Sequence, residues 1–342
     1  MTDVRRIALR SGTSSVSPSD CHLPHRGRHI WRANAVRRSG RSRAPPLQGG
    51  LKQARSEEGS LRDEIPQAGF RAAALTSLSG GKRMTKEKIQ CGLDTKWAGC
   101  DIVYFEETDS TNKQARMLAR EGAKHGTLVI ADTQSAGRGR RGRGWISPAG
   151  EGVFMSLIVR PEMPPSEVAK MSLTLALAVA RAIERETGLD ARIKWPNDIV
   201  IGGRKVCGLL LEMDATAEKV NSIVAGVGIN VHQSVFDEEI AHTASSLDLL
   251  CGRRVSRSAI VRAFLEEFER AAAFADEEMM QAYRGRSATI GQRVQVIGLS
   301  GTYTGTAQGI TESGTLLVEA DDGEVREVLA ADVSVRGIMG YV

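Results

Sequence analysis

The ten residues Ala136–Trp145, AGRGRRGRGW, thread four arginines between four glycines. Within them Gly137–Gly142 satisfies, letter by letter, the dinucleotide-binding pattern G-x-G-x-x-G. That pattern works only between a strand and a helix that starts at once, with an acidic residue about 20 positions further on. TLVIADT (Thr127–Thr133) reads as the strand, but Gly142-Arg143-Gly144-Trp145-Ile146-Ser147-Pro148 cannot open a helix. So many arginines also conflict with close helix packing, so a doubly wound dinucleotide fold is excluded. No G-x-x-x-x-G-K-[ST] occurs either. A basic nucleic-acid tail would sit at a terminus or in a long low-complexity run, whereas this stretch joins two core strands. Two readings stay open: a solvated loop, or one that grips phosphate or carboxylate. In the second, glycines allow close backbone approach and arginines supply forked donors. Unliganded, its like charges predict an open loop that a polyanion closes.

Outward from the loop, YFEETDSTN (Tyr104–Asn112) reads as a strand entering a polar turn, and KQARMLAREG as a helix ending at Gly122. GVFMSLIVR (Gly152–Arg160) is a strand, and Ser166 to Gly188 is a long amphipathic helix. Gly202-Gly203 marks a two-residue hairpin between apolar runs. VNSIVAGVGINV (Val220–Val231) is a buried strand, and Ser256 to about Tyr283 is helical. After Arg286, the alternation in RVQVIG, GTYTGTAQGI, GTLLVEA and EVREVLA predicts a small all-β domain. The fold class expected is mixed α/β (α+β): a mixed-sheet domain over 84–284, then a small C-terminal β-barrel over 285–342. Residues 1–83, rich in Arg, Ser, Gly and Pro, are expected to be a disordered basic segment; a transit peptide is the alternative reading.

Charge follows this division. Of the 46 Lys+Arg and 41 Asp+Glu, residues 1–83 hold 16 and 6, leaving 30 and 35 for the rest. The net charge of +5 therefore belongs to the tail, and gives the body no general attraction to nucleic acid. The five cysteines are scattered, which points to reduced thiols in a cytoplasm. No apolar run reaches the ~18 residues of a membrane span.

The polar and cationic residues of the body each carry an ordinary and a functional reading. Ser110, Thr111 and Asn112 are helix caps or hydrogen-bonding ligands. KWPND (Lys194–Asp198) is a strand-ending turn or a polar site. Lys205 is an edge lysine or a catalytic cation. Gly226 and Gly228 mark a bulge or a ligand lying on the backbone. Trp145 is core or a stacking surface for a base. The six histidines have no metal-ligand spacing, and no serine, cysteine or carboxylate pair is set up for hydrolysis. Arginines, a lysine and neutral amides suit phosphoryl electrostatics.

In order, DSTN, TQSAGRGRRGRGW, KWPNDIVIGGRKVCGLLLE and GVGINV resemble the biotin protein ligase family, biotin–[acetyl-CoA-carboxylase] ligase, from about Lys86 to the C-terminus. The resemblance implies a two-step reaction: biotin and ATP, carried with Mg2+, form biotinyl-5′-adenylate, which passes biotin to a lysine of a biotin carboxyl carrier domain. It implies that Ser110, Thr111, Asn112 and Gln134 hold the ureido group, with Arg138, Gly139 and Arg140 in the biotin-binding loop. Gly226 and Gly228 would make room for the carbon stem. Lys205 would sit at the carboxylate and α-phosphate, acting with Arg138 and Arg140 in catalysis. Trp145, Lys194, Asn197 and Asp198 would lie on the nucleotide side, with no dedicated protein metal site.

Some members carry a DNA-binding winged helix at the N-terminus and also repress transcription. Residues 20–60 show no helix-turn-helix pattern, so residues 1–83 are read as a degenerate or out-of-frame version of that region. Repression and DNA binding are therefore not expected of this chain. A homodimer through a sheet edge is implied by the family alone. The competing readings are a lipoate ligase or octanoyl transferase, and a non-catalytic nucleic-acid-binding protein driven by the tail.

Overall fold

Alternation of side chains on the central strands decides the layering. The computed structural model describes residues 84–298, 301–330, 333–337 and 341; the expectations for residues 1–83 fall outside them. After a short helix α1 (Lys86–Gln90) come β1 (Asp101–Thr108), α2 (Thr111–Arg120), β2 (Thr127–Gln134), β3 (Gly152–Val159) and α3 (Val168–Thr187). Then follow β4 (Arg192–Lys194), β5 (Asp198–Ile201), β6 (Arg204–Ala215), β7 (Val220–Asn230), α4 (Leu247–Cys251), α5 (Arg257–Ala271) and α6 (Asp276–Gly285). The seven strands form one mixed sheet in the order β1-β2-β3-β7-β6-β5-β4, with β1 and β2 parallel and the rest antiparallel.

Leu128 and Ile130 on β2, Val153, Met155, Leu157 and Val159 on β3, and Ile223, Ala225, Val227 and Ile229 on β7 join the main core. That core includes the buried faces of α3 and α5. The residues between them, Val129, Ile158 and Val224, pack instead with Ala115 and Ala119 of α2 on the opposite face. β3 is buried at all eight positions because it is covered on both sides, as its unbroken apolar run requires. The two helices of the main core bury a wide apolar stripe against the sheet, which leaves the α2 face free for a cleft beyond the N-terminus of that short helix.

Several boundaries differ from the sequence reading. The long helix begins at Val168, not Ser166, because Pro165–Glu167 form a preceding 3-10 turn. Its end is as read: Gly188 takes the left-handed φ of 75° and donates to the Glu184 carbonyl. The helix expected from Ser256 to Tyr283 is two helices. The chain tightens after Ala271 through bonds from Ala273 and Phe274 to carbonyls three residues back, and Asp276, Glu277 and Glu278 start a new helix. Three acids at a helix N-terminus fit its dipole, a signal that periodicity alone overlooks. The Gly202-Gly203 hairpin stands, both residues having positive φ (56° and 75°).

The C-terminal strands β8 (Arg293–Gly298), β9 (Gly301–Ile310), β10 (Leu316–Ala320) and β11 (Val325–Val328) match the expected ones, and β12 (Val333–Gly337) is an addition. They form an antiparallel sheet ordered β11-β10-β9-β8-β12, and its end strands share no ladder. Trp195 fastens this sheet to the larger one: its backbone N–H donates to Thr289 Oγ1 (2.9 Å) and its indole N–H to the Gly314 carbonyl (3.0 Å). No helix among the described residues is long and apolar enough to cross a membrane.

Candidate functional site

Antiparallel register builds the floor of the site. Lys194 pairs with Asp198, Asp198 with Gly208, Gly208 with Gly228, and Gly228 with Phe154, one row across five strands. The next row holds Leu210, Gly226 and Ser156. Two adjacent glycines make a depression, and the Trp145 ring fills it. A Cβ on Gly208 would lie 2.8 Å from the indole, and one on Gly228 2.7 Å. The indole N–H is buried without a hydrogen-bond partner among the described residues.

Above this floor lies a cleft of about 1170 Å³. All fourteen residues singled out from the sequence line it: Ser110, Thr111, Asn112, Gln134, Arg138, Gly139, Arg140, Trp145, Lys194, Asn197, Asp198, Lys205, Gly226 and Gly228. Lys205 gets there by a bulge. Ile199 faces Cys207 but Val200 faces Lys205, so Val206 is one residue too many. The slip turns Lys205 away from the core face that Cys207 and Val206 occupy. Its Nζ then stands 2.6 Å from Asp198 Oδ1 and 5.4 Å from the centre of the Trp145 ring.

At the other end, the first turn of α2 is held by Gln134. Its Oε1 accepts from the Thr111 N–H (2.8 Å) and Thr111 Oγ1 (3.2 Å), while its Nε2 donates to Ser147 Oγ (2.9 Å). Ser110 is the N-cap but makes no capping bond with its side chain, so the capping alternative does not account for it.

Asn112 also braces α2. Its Oδ1 accepts from Ser156 Oγ (2.6 Å), and its Nδ2 donates to the Leu210 carbonyl (3.3 Å) and Glu212 Oε2 (2.9 Å). These bonds fix the amide against β3 and β6 at the wall of the cleft. The space that glycine leaves at 226 holds Asn112, and the space at 228 holds Trp145. A Cβ on Gly226 would lie 2.1 Å from Asn112 Oδ1. Gly226→Ala is expected to cost roughly 1–3 kcal/mol by expelling Asn112 from its bonds, read as a lower urea midpoint. An unchanged midpoint would sink this account of the glycine.

The arginine loop is a hairpin whose backbone pairs with itself, while Arg138, Arg141 and Arg143 stay exposed. Arg138 bridges Gly144, the Gly139 N–H donates to the Arg143 carbonyl (2.8 Å), and the Trp145 N–H donates to the Gly137 carbonyl (2.9 Å). A 3-10 turn at Arg140–Gly142 closes it, with Arg141 at φ 58°. Arg140 is held despite the charges of Arg141 and Arg143: it donates to Asn197 Oδ1 (2.9 Å) and to the Ala330 carbonyl of the small domain. Burial depresses the pKa of its guanidinium, and the Asp198 carboxylate opposes that shift. No helix follows the loop, in keeping with the exclusion of a dinucleotide fold.

Lys194 carries the largest electrostatic tension. Burial pushes its ammonium pKa down to about 8, and the charges of Lys205, Arg336 and Arg143 add to this while Asp198 opposes it. Such a cation is poised to gain from an anion. Sequence reasoning did not find Ser156, Gly208, Glu212 or Tyr341. Ser156 had a signal, as the single polar residue in an otherwise apolar strand; the others depend on register or on distant chain. Among the described residues, no group of three or more His, Cys, Asp or Glu side chains is placed to hold a metal ion.

Comparison with known proteins gives the same picture from outside. Residues 104–230 match the family described as Biotin/lipoate A/B protein ligase, and residues 289–336 match the Biotin protein ligase C terminal domain. The bifunctional ligase/repressor BirA of Bacillus subtilis is 37% identical over 259 residues, covering 73% of this chain and 79% of that protein. The biotin–[acetyl-CoA-carboxylase] ligase of Mycobacterium tuberculosis is 34% identical over 255 residues, covering 71% of this chain and 91% of that one. Among solved structures, a biotin protein ligase from Aquifex aeolicus in complex with biotin and ATP superposes with a TM-score of 0.60 at 29% identity. It covers 70% of this chain and 99% of its own.

Proposed function

The chain belongs to the biotin protein ligases of the biotin/lipoate A/B protein ligase family, and from that premise we propose how its cleft carries out their reaction. The enzyme is a biotin–[acetyl-CoA-carboxylase] ligase that activates biotin with ATP and transfers it to a carrier protein. A carboxylate oxygen of biotin attacks the α-phosphorus of ATP, pyrophosphate leaves, and biotinyl-5′-adenylate forms. The ε-amine of the carrier lysine then attacks the acyl carbon; its proton is lost and AMP leaves. The nucleophile of the second step comes from the partner, which accounts for a site without its own serine or cysteine nucleophile.

The observation that carries the assignment of residues is one continuous cleft joining a neutral, hydrogen-bonding end to a cationic end. Ser110, Thr111, Asn112 and Gln134 supply the neutral end, suited to a ureido ring that offers both donors and acceptors. Lys205, Arg138 and Arg140 supply the charge needed where one anion attacks another, a task that preorganised cations do well in a water-poor site. Trp145, Lys194, Asn197 and Asp198 are the nucleotide side. Magnesium would enter with the phosphates of ATP as part of that substrate, and Asp198 is the carboxylate that the nucleotide side offers.

The arginine hairpin, closed over the adenylate, keeps water from the mixed anhydride until the carrier arrives. The domain division at 84–284 and 285–342 is part of the same proposal, as are a cytoplasmic location, self-association through a sheet edge, and acetyl-CoA carboxylase as the source of the carrier domain. The deciding experiment is biotin-dependent release of pyrophosphate from ATP by the purified protein. Release with lipoate or octanoate but not with biotin would move the chain to the neighbouring activities of the same family.

A further inference from the structure

We propose that Tyr341, from the C-terminal segment, is a positioning residue for the nucleotide end of the cleft, holding Asp198 by its hydroxyl and Lys194 by its ring. The inference rests on the reading of Lys194 and Asp198 as nucleotide-side residues and adds a group that the motif KWPND does not contain. The Tyr341 hydroxyl donates to Asp198 Oδ2 at 2.6 Å. The other oxygen, Oδ1, stands 2.6 Å from Lys205 Nζ. Lys194 Nζ lies 3.6 Å from the centre of the Tyr341 ring. Tyr341 therefore touches Lys194 and Asp198 and reaches Lys205 through the carboxylate, with Arg143 and Arg336 the other charges nearby.

The hydroxyl fixes the carboxylate at Oδ2, and Oδ1 is thereby turned toward the Lys205 ammonium as an ion-pair partner. An aromatic face over an ammonium stabilises the charged form in a setting where burial opposes it. Burial and the nearby Asp198 carboxylate both raise the pKa of the phenol, so it stays a donor at neutral pH. A tyrosine that merely filled space would need its ring but not its hydroxyl, and phenylalanine would serve equally well.

That contrast sets the test, made on the full chain by biotin-dependent pyrophosphate release at saturating biotin with ATP varied. Tyr341→Phe is expected to raise the KM for ATP about tenfold, the scale of a hydrogen bond to a charged group, with kcat falling less than about threefold. Tyr341→Leu removes the ring too and raises KM further. Added to Asp198→Ala, the Phe change is expected to do nothing more, because the hydroxyl acts through that carboxylate. A thermal unfolding midpoint for Tyr341→Phe equal to the parent's shows that the change is local. Wild-type kinetics in Tyr341→Phe overturn the proposal, as does an equal rise in KM on the Asp198→Ala background. If Asp198→Ala and Lys194→Met leave the KM for ATP untouched, it is the nucleotide-side reading that fails, and the tyrosine's role falls with it. If they raise it while Tyr341→Phe does not, only the tyrosine's role fails.

Discussion

Replacing Lys205 by alanine is expected to slow biotinyl-adenylate formation by about 10²–10³-fold, the usual loss when one preorganised donor to a developing charge is removed. The reason is positional. The bulge at Val206 brings the ammonium to the cleft face, Asp198 Oδ1 holds it at 2.6 Å, and no other lysine of the cleft comes as close to that carboxylate. The fold should survive the change. The backbone of Lys205 keeps its bonds to Thr243 and Ser245 whatever the side chain, and Asp198 keeps the Tyr341 hydroxyl. The pair is mostly buried, the side chains being 25% and 13% exposed, so a stability loss of roughly 1–3 kcal/mol is the expected scale. Arginine should rescue poorly, because its planar fork does not fit a place shaped for a point charge between Asp198 and an indole. The assay is pyrophosphate release under saturating biotin and ATP, with an unfolding curve beside it. Activity within about threefold of the parent would remove Lys205 from the chemistry. A large loss of activity with an equally large loss of stability would make it a structural residue.

How the sequence could disclose so much of this site, and not the rest, follows from which interactions are local. Residues 110–112, 134–145, 194–198 and 205 lie in short stretches of unusual polar, glycine, proline or cationic composition. Each alone left an ordinary reading open, and only their order along the chain pointed to a site. That Asn112 and Trp145 fill the room at Gly226 and Gly228 was not readable, because they reach it from α2 and from the arginine loop. Both meet the glycines only through the register of β3, β7 and β6. The bulge was hidden for a related reason: RKVCGLLLE alternates in the same way with or without one extra residue, and only pairing with β5 exposes the slip. Arg140 and Asp198 find partners in Ala330, just after β11, and Tyr341, beyond β12, at the far end of the chain. The splitting of the last helix pair was legible after all, in the three acids from Asp276, but a periodicity search runs across them.

Lys194→Met is expected to make the protein more stable at neutral pH while crippling its use of ATP. Folding lowers the ammonium pKa from 10.5 to about 8, mainly by burial. The sign follows from the direction of that shift. Below about pH 8 the lysine is charged in both folded and unfolded chains, and the folded state bears the whole cost of burying the charge. Between about 8 and 10.5 the folded chain has shed the proton and the unfolded chain has not, so the cost is progressively relieved as pH rises. Methionine never bears that cost. The gain is at most roughly 3 kcal/mol at pH 7, and it should vanish above the ordinary lysine pKa. Methionine also suits the neighbouring Tyr341 ring, since a polarizable thioether makes favourable contacts with an aromatic ring. Phosphates of ATP should hold Lys194 charged when bound, so its loss is expected to raise the KM for ATP by about 10–100-fold. In the parent that KM should climb as pH rises past about 8, where the free enzyme must take up a proton to bind; in the variant this climb should be absent. Urea unfolding at neutral and at alkaline pH, set against ATP saturation curves over the same range, measures both halves. A variant less stable than the parent at neutral pH would mean that Lys194 is held by its contacts rather than strained by its burial. The site would then have no electrostatic tension for a nucleotide to relieve.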